Sequence, residues 1–249
     1  MLFSIITVSL NAKDLIADTI SSVLSQDFDD YEIIVKDGCS TDDTVKMVPQ
    51  DDRIRIIVEK DTGIYNAMNQ AIREAKGEYL LFLNCGDTLY SNDVLSEVAR
   101  KIKDDDLENC IVYGDCYVNN LDMVVKYPSR ITKRLFQTRT ICHQAAFVSR
   151  AVFDIVGYYD QNYKIVSDWK HFLEAYLIGT SFAHVDKVIC NYMGGGVSET
   201  EAGIKRRRKE RKKIIAEKYS KGERFLMWCA RTPLGQLLIK IKNKKRPTH

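Results

Sequence analysis

Along the first third of the chain, short apolar runs alternate with stretches whose apolar residues recur at every third or fourth position. Residues 3–10 (FSIITVSL) make a nearly continuous run rich in β-branched side chains, the pattern of a strand buried on both faces. Asn11 follows as a candidate helix cap, ahead of Ile16, Ile20, Val23 and Leu24 at helical spacing. Residues 31–36 (YEIIVK) and 54–58 (IRIIV) read as two further strands, the first ending at Asp37-Gly38. Residues 64–76 read as a helix with Ala67, Met68, Ala71, Ile72 and Ala75 on one face and Gly77 at its C′ position. Residues 79–83 (YLLFL) give a fourth strand, which ends in Asn84-Cys85-Gly86-Asp87. Strand and helix alternating at such short intervals predict an α/β fold with a mostly parallel central sheet flanked by helices.

The rhythm changes beyond residue 88. Residues 93–103 read as an amphipathic helix and 110–118 as a strand carrying Tyr113-Gly114-Asp115. Residues 126–140 are polar and irregular, as expected of a substrate-contacting loop, and a helix over 168–178 precedes a strand over 181–185. No internal repeat or low-complexity linker interrupts this stretch.

Charge divides the chain more sharply than hydropathy does. The net charge of +3 conceals a segment, residues 204–249, with 17 Lys and Arg against three acids, while residues 1–203 hold 20 against 31. An acidic body with a basic tail implies two functional regions. With 45% hydrophobic residues the body can bury a core without a disulfide or a structural metal. The seven cysteines form no C-x-x-C pair and follow no framework spacing, so reduced, mostly buried thiols are expected. The N-terminal residues carry no basic n-region or cleavage site, and no apolar run reaches the ~18 residues of a spanning helix. A soluble or peripheral cytoplasmic protein is the expectation.

In an open parallel sheet, ligands bind beyond the carboxyl ends of the strands. The four strands above deliver residues 9–11, 37–38, 59–61 and 84–87 to that edge, a polar and acid-rich set. No G-x-G-x-x-G follows the first strand and no G-x-x-x-x-G-K-[ST] occurs. That argues against a dinucleotide dehydrogenase and a P-loop NTPase, both of which bring backbone amides onto phosphate with such a turn. A divalent cation is the other way to neutralise phosphate, and hard cations take carboxylate and amide oxygens. Asn84 and Asp87, three positions apart, can offer one of each. Taken alone, acids after a strand are commonly turn formers.

The order of the pieces adds a resemblance. Residues 4–11 (SIITVSLN), 37–44 (DGCSTDDT), 61–69 (DTGIYNAMN), 82–87 (FLNCGD), 143–147 (HQAAF) and 167–169 (SDW) stand in an order and spacing that resemble the inverting family 2 glycosyltransferases. The likeness is greatest to bacterial members that build capsular, colanic-acid-type and O-antigen polysaccharides. It spans roughly residues 3–200 and implies the GT-A (nucleotide-diphospho-sugar transferase) fold over residues 1–203, with a nucleotide-binding half at 1–87, an acceptor-binding half at 88–203, and a basic helical tail at 204–249.

The resemblance implies roles residue by residue. Thr7, Ser9 and Asn11 would line the nucleoside pocket, Asp37 would accept from the base or ribose, and Asp61 and Asn66 would stand near the sugar-diphosphate. Asn84, Gly86 and Asp87 occupy the place of the family's D-x-D motif, with Asp87 the principal ligand of Mn2+ or Mg2+. Two acids of the usual motif are replaced here by Asn84 and Gly86, so weak metal binding that depends on the nucleotide is expected. Asp168 falls where the family carries its catalytic base, although a first-turn acid is also favoured by the helix dipole alone. His143 and Gln144 are either structural hydrogen-bonders or contacts to acceptor or diphosphate. Gly195 and Ser198 belong to a glycine-rich run that is either a linker or a loop ordering over the diphosphate. Trp169 is either core or a sugar platform. The donor implied is a nucleotide-sugar, with UDP favoured because uridine is commonest in the family. The acceptor is a growing polysaccharide or a lipid-linked saccharide, and the enzyme class a hexosyl- or N-acetylhexosaminyltransferase.

In the tail, basic residues interleave with Phe225, Leu226, Met227, Trp228 and the apolar run 234–241. That suits an interfacial helix on an anionic membrane, which places the protein on the inner face of the cell membrane. No nucleic-acid motif accompanies the basic block, and an acidic body repels a polyanion, so no nucleic-acid partner is expected. The competing readings are a catalytically degenerate scaffold subunit of a polysaccharide-assembly complex, suggested by the depleted metal motif, and a nucleotidyltransferase, which residues 9–13 do not support for want of a glycine-rich basic turn.

Overall fold

The computed structural model describes residues 1–231. The chain divides into two compact units, Met1–Thr200 and a second that begins at Glu201. The first opens with β1 (Phe3–Ser9), α1 (Ile16–Leu24), β2 (Tyr31–Asp37), β3 (Ile54–Val58), α2 (Ile64–Glu74) and β4 (Tyr79–Phe82). There follow β5 (Thr88–Leu89), α3 (Val94–Asp104), β6 (Ile111–Val118), β7 (Met123–Val125), α4 (Leu135–Thr138) and β8 (Ala146–Ser149). The unit closes with α5 (Arg150–Val156), α6 (Ser167–Leu177) and β9 (Phe182–Tyr192).

The strands form one sheet in the order β3-β2-β1-β4-β8-β6-β9-β5, with β7 beside β6. From β3 to β4 every pairing is parallel. Beyond β4 the sheet is mixed: β8 runs antiparallel to β4 and β6, while β6 and β9 are parallel. The chain therefore turns from one side of β1 to the other between β3 and β4, and the switch point lies where β1 and β4 end.

Both faces of β1, β2 and β4 are covered, as their apolar runs predict, whereas the edge strand β3 leaves Ile56 and Val58 exposed. Phe3, Ile5, Ile33, Val35 and Leu81 share a core with Ile16, Ile20 and Val23 of α1 and Val94, Leu95 and Val98 of α3. The alternate residues Ile6, Ile34, Leu80 and Phe82 are also buried, and α2 packs over β1 and β2. This is the period of two expected of a strand between two helical layers.

Two local expectations give way to longer-range demands. Asn11 does not cap α1, whose N-cap is Leu15; it adopts φ 52° and accepts a hydrogen bond from the Thr41 N–H at 2.8 Å. Gly77 is not a left-handed C′ residue, because α2 ends through an extended Ala75. A Cβ on Gly77 would stand 2.4 Å from the Ser4 nitrogen, so glycine is required there by the crossing of the chain over β1. The expected loop over 126–140 contains the short helix α4, whose Phe136 carbonyl accepts from Trp169 Nε1 at 3.2 Å. Trp169 is 2% exposed and belongs to the core. The last strand runs on to Tyr192, well past residue 185.

The second unit holds α7 (Glu201–Lys218) and α8 (Lys221–Arg231). Lys205, Arg206, Arg208, Lys209, Lys212 and Lys213 are exposed on α7. The apolar run 234–241 and the basic run 242–246 lie outside the described residues. Among the described residues no helix is long and apolar enough to cross a membrane.

Candidate active site

The carboxyl ends of β1 and β2 build one side of the edge. Asp37 is fully buried, and its carboxylate accepts from Ser9 Oγ at 3.0 Å, Ser40 Oγ at 2.6 Å and the Ser40 N–H at 2.7 Å. The Asn11 N–H donates to Ser40 Oγ at 2.8 Å, which binds the loop after β1 to the loop after β2. Thr7 lies fully buried within β1. With these three donors Asp37 holds the loop after β2 against the end of β1.

A buried ammonium lies beneath this side. Lys36 has no exposed surface, donates to the Asp37 carbonyl at 3.0 Å and the Glu59 carbonyl at 2.5 Å, and stands 3.6 Å from Asp61 Oδ2. The ends of β2 and β3 and the Asp61 carboxylate are thereby fixed together. Asp61 Oδ1 also accepts from the Gly63 N–H at 2.9 Å, shaping the entry to α2. Asn66, in the first turn of α2, accepts from the Thr62 N–H and donates to Gln161 Oε1, both at 3.1 Å.

The other side is a chain of side chains drawn from four places. Tyr65 of α2 donates its hydroxyl to Asp168 Oδ1 at 2.9 Å. His143 Nδ1 lies 2.9 Å from Asp168 Oδ2, and its Nε2 lies 3.0 Å from Asn84 Nδ2. An amide nitrogen only donates, so Nε2 accepts and Nδ1 carries the hydrogen given to Asp168. Burial works to raise the Asp168 pKa, but the hydrogen bonds from His143 Nδ1, the Trp169 N–H and the Tyr65 hydroxyl prevail and hold it below the usual carboxylate range. Burial, reinforced by Asp168, drives the Tyr65 pKa well up, so the hydroxyl stays a donor.

Asp87 has different surroundings. It is 4% exposed; Oδ2 accepts from Gln144 Nε2 at 2.7 Å and Oδ1 from the Met193 N–H at 3.0 Å. Burial raises its pKa despite these donors, which are neutral. A desolvated carboxylate lacking a cationic hydrogen-bond donor fits a hard cation, and Asn84, whose amide nitrogen is spent on His143, can add its amide oxygen. Gly86, at φ 93°, donates its N–H to Thr19 Oγ1 at 2.9 Å, and a Cβ there would meet Met193 Sδ at 2.7 Å.

The glycine-rich segment reaches the same place. Met193 ties it to Asp87, while the Gly195 N–H donates to Glu199 Oε2 at 2.9 Å and Tyr192 to Glu199 Oε1 at 2.9 Å. Ser198 lies half-buried in the 3-10 turn Val197–Glu199. Asn84, Asp87, His143, Gln144 and Asp168 are therefore brought into one cluster, and Ser9, Asn11 and Asp37 into another at the neighbouring strand ends. Sequence reasoning assigned no role to Tyr65, Lys36, Ser40 or Glu199. Tyr65 directly preceding the singled-out Asn66 was the available signal; a lysine inside an apolar strand was a second.

The chain is similar to known proteins in sequence and in fold. Residues 4–156 match the family described as Glycosyl transferase family 2. A PGL/p-HBAD biosynthesis glycosyltransferase of Mycobacterium tuberculosis is 33% identical over 208 residues, 80% of each chain. The putative teichuronic acid biosynthesis glycosyltransferase TuaG of Bacillus subtilis is 42% identical over 91 residues, 34% of this chain and 36% of that one. Among solved structures, S. aureus TarS 1-349 in complex with UDP-GlcNAc superposes with a TM-score of 0.67 at 19% identity, covering 92% of this chain and 79% of that one. The mannosyltransferase PcManGT from Pyrobaculum calidifontis, in complex with GDP-Man and Mn2+, gives 0.66 at 18% identity over 86% and 63%. At those identities the two structures share the fold.

Proposed function

The chain belongs to glycosyltransferase family 2, and from that premise we propose that it transfers a sugar from a nucleotide-sugar, UDP-linked in the first instance, to a hydroxyl of a growing polysaccharide or lipid-linked saccharide with inversion. The observation that carries the reading is Asp168 held anionic between Tyr65 and His143, with His143 joined to Asn84 beside Asp87.

Asp168 is the base. A carboxylate has about four lone-pair sites, and its three donors, Tyr65, His143 and the Trp169 N–H, leave one for an acceptor hydroxyl. The hydroxyl oxygen forms a bond to the anomeric carbon, its proton passes to Asp168, and the bond to the diphosphate breaks with its electron pair leaving on the nucleotide. A base with so low a pKa gives little driving force early, but glycosyl transfer through an oxocarbenium-like state releases the proton late. A positioned base contributes about 10²–10⁴-fold.

Asp87 and the Asn84 amide oxygen would hold a divalent cation, Mn2+ or Mg2+, whose charge would offset that of the departing diphosphate. The Ser9–Asp37–Ser40 assembly would seat the nucleoside, and Lys36 would keep Asp61 in place near the diphosphate. Gly195 and Ser198 would close over the diphosphate once Glu199 releases the segment. Acid-rich surroundings make such neutralisation necessary.

Thermal unfolding with UDP, GDP, dTDP or CDP, each with Mn2+, Mg2+ or EDTA, tests the donor. A true donor base at about 100 times its Kd adds about 2.7 kcal/mol of stability. Metal-dependent stabilisation by one nucleotide, together with loss of transfer but not of that stabilisation in Asp168→Asn, is the expected result. No stabilisation by any nucleotide would move the reading to a degenerate scaffold subunit.

We also propose that the basic second unit rests on an anionic membrane surface, where a lipid-linked acceptor would be found. The exposed lysines and arginines of α7 support this, at about 1 kcal/mol for each one near such a surface. Flotation with anionic vesicles at low salt, lost at high salt and absent with neutral vesicles, is expected; failure to float with anionic vesicles rejects it.

A further inference from the structure

Three thiols that the transfer chemistry does not use converge behind the cluster around Asp87. Cys116 of β6 and Cys190 of β9 are partners in strand register, and their sulfurs lie 3.5 Å apart. Cys142, in the segment before His143, brings a third sulfur, and all three lie within 4.8 Å of one another. Cys116 and Cys190 are 2% and 0% exposed, and Cys142 is half-buried.

We propose that Cys116, Cys142 and Cys190 form a three-thiolate site for a soft, thiophilic metal ion, separate from the oxygen-ligand site at Asp87. Three sulfurs at about 2.3 Å from a shared ion stand about 3.8–4 Å from one another, so the observed spacing needs adjustments of no more than about 1 Å. Thiolates select soft ions such as Cu(I), Zn(II) and their heavier analogues over Mg2+ and Mn2+, which take oxygen. The three sulfurs come from elements distant in sequence, and the strand register fixes two of them before any ion arrives. Cys142 Sγ also lies 2.8 Å from Gln144 Oε1, which gives the site an oxygen neighbour for an ion that takes a fourth ligand.

The probe is Cd2+, added anaerobically to the reduced full chain with excess Mn2+ present to occupy oxygen ligands. Thiolate-to-metal charge-transfer absorption should saturate at one Cd2+ per chain. It should be lost in Cys142→Ala and Cys190→Ser and retained in Cys39→Ser, an exposed cysteine outside the cluster. X-ray absorption of the Cd2+-loaded wild-type protein needs no variant to fold and should count three sulfur ligands. A first shell of oxygen or nitrogen with fewer than three sulfurs, or a charge-transfer band that survives in Cys142→Ala, overturns the proposal.

Discussion

His143 and Asp168, 25 positions apart, meet with Nδ1 2.9 Å from Oδ2, and the imidazole's other nitrogen faces Asn84. The pair joins the segment before β8 to the first turn of α6, and Tyr65 of α2 closes it from the opposite oxygen. A carboxylate taking two such donors keeps its charge even though largely withdrawn from water.

The acid side of the pH–rate profile follows. Asp168 acts only when ionised, and its pKa in the intact protein lies below the ordinary range. Tyr65→Phe and His143→Ala each remove a donor to the anion, so each raises that pKa and moves the acid limb of kcat upward. Hydrogen bonds to a charged group are worth about 1.5–3 kcal/mol, which moves the limb up by about one to two pH units, so kcat should fall at pH 5 and change little at pH 8. His143→Gln should recover part of it. Equal losses at both pH values would show that these residues shape the site without tuning Asp168.

Asp87→Asn should separate stability from binding. Burial raises the Asp87 pKa, so its contribution to stability is present when protonated and lost as pH rises through the folded pKa. At neutral pH the ionised side chain burdens the ligand-free protein, and the Asp87→Asn variant should unfold at the same or a higher Tm than wild type. Its stabilisation by Mn2+ with nucleotide should vanish. A variant that keeps the ligand-induced Tm increase removes Asp87 from metal binding.

His171 should make the fold acid-sensitive in a defined interval. It lies buried and stacked on Phe153 at a centroid distance of 4.6 Å, and burial depresses its pKa to about 4. A depressed pKa contributes stability above the unfolded value of about 6.5 and loses it as pH falls toward the folded value. The change between pH 6.5 and 4 amounts to at most about 3 kcal/mol from this residue. Urea midpoints should fall less steeply with pH in His171→Phe than in wild type; parallel slopes would assign the acid sensitivity elsewhere.

Gly77→Ala should be destabilising by about 1–3 kcal/mol, because the added methyl meets backbone atoms of Phe3 and Ser4. Gly196→Ala, where no atom lies within 4 Å and φ is ordinary, should be near neutral. A comparable Tm for the two variants would mean that β1 can shift to admit the methyl.

The sequence by itself determined the parallel half of the sheet and the family. Residues 3–9, 31–37 and 79–82 are apolar enough to be buried on both faces, and a hydrophobic pattern of period two or 3.6 is a local property. The strand-end motifs were legible for the same reason, since residues 9–11, 37–38 and 84–87 follow those strands directly. The strands near 110–118 and 181–185 were legible too, but the order and direction of the mixed half came from the tertiary structure, and β5, with two residues, is too short to carry a period. The tertiary structure also decided what the motif residues touch. Asn11 grips the loop after β2, Gly77 admits β1, and Asp87 is held by Gln144, 57 positions away, and Met193, 106 away. Such contacts depend on strand order and direction, and the side chains that meet there leave no periodic trace along the chain.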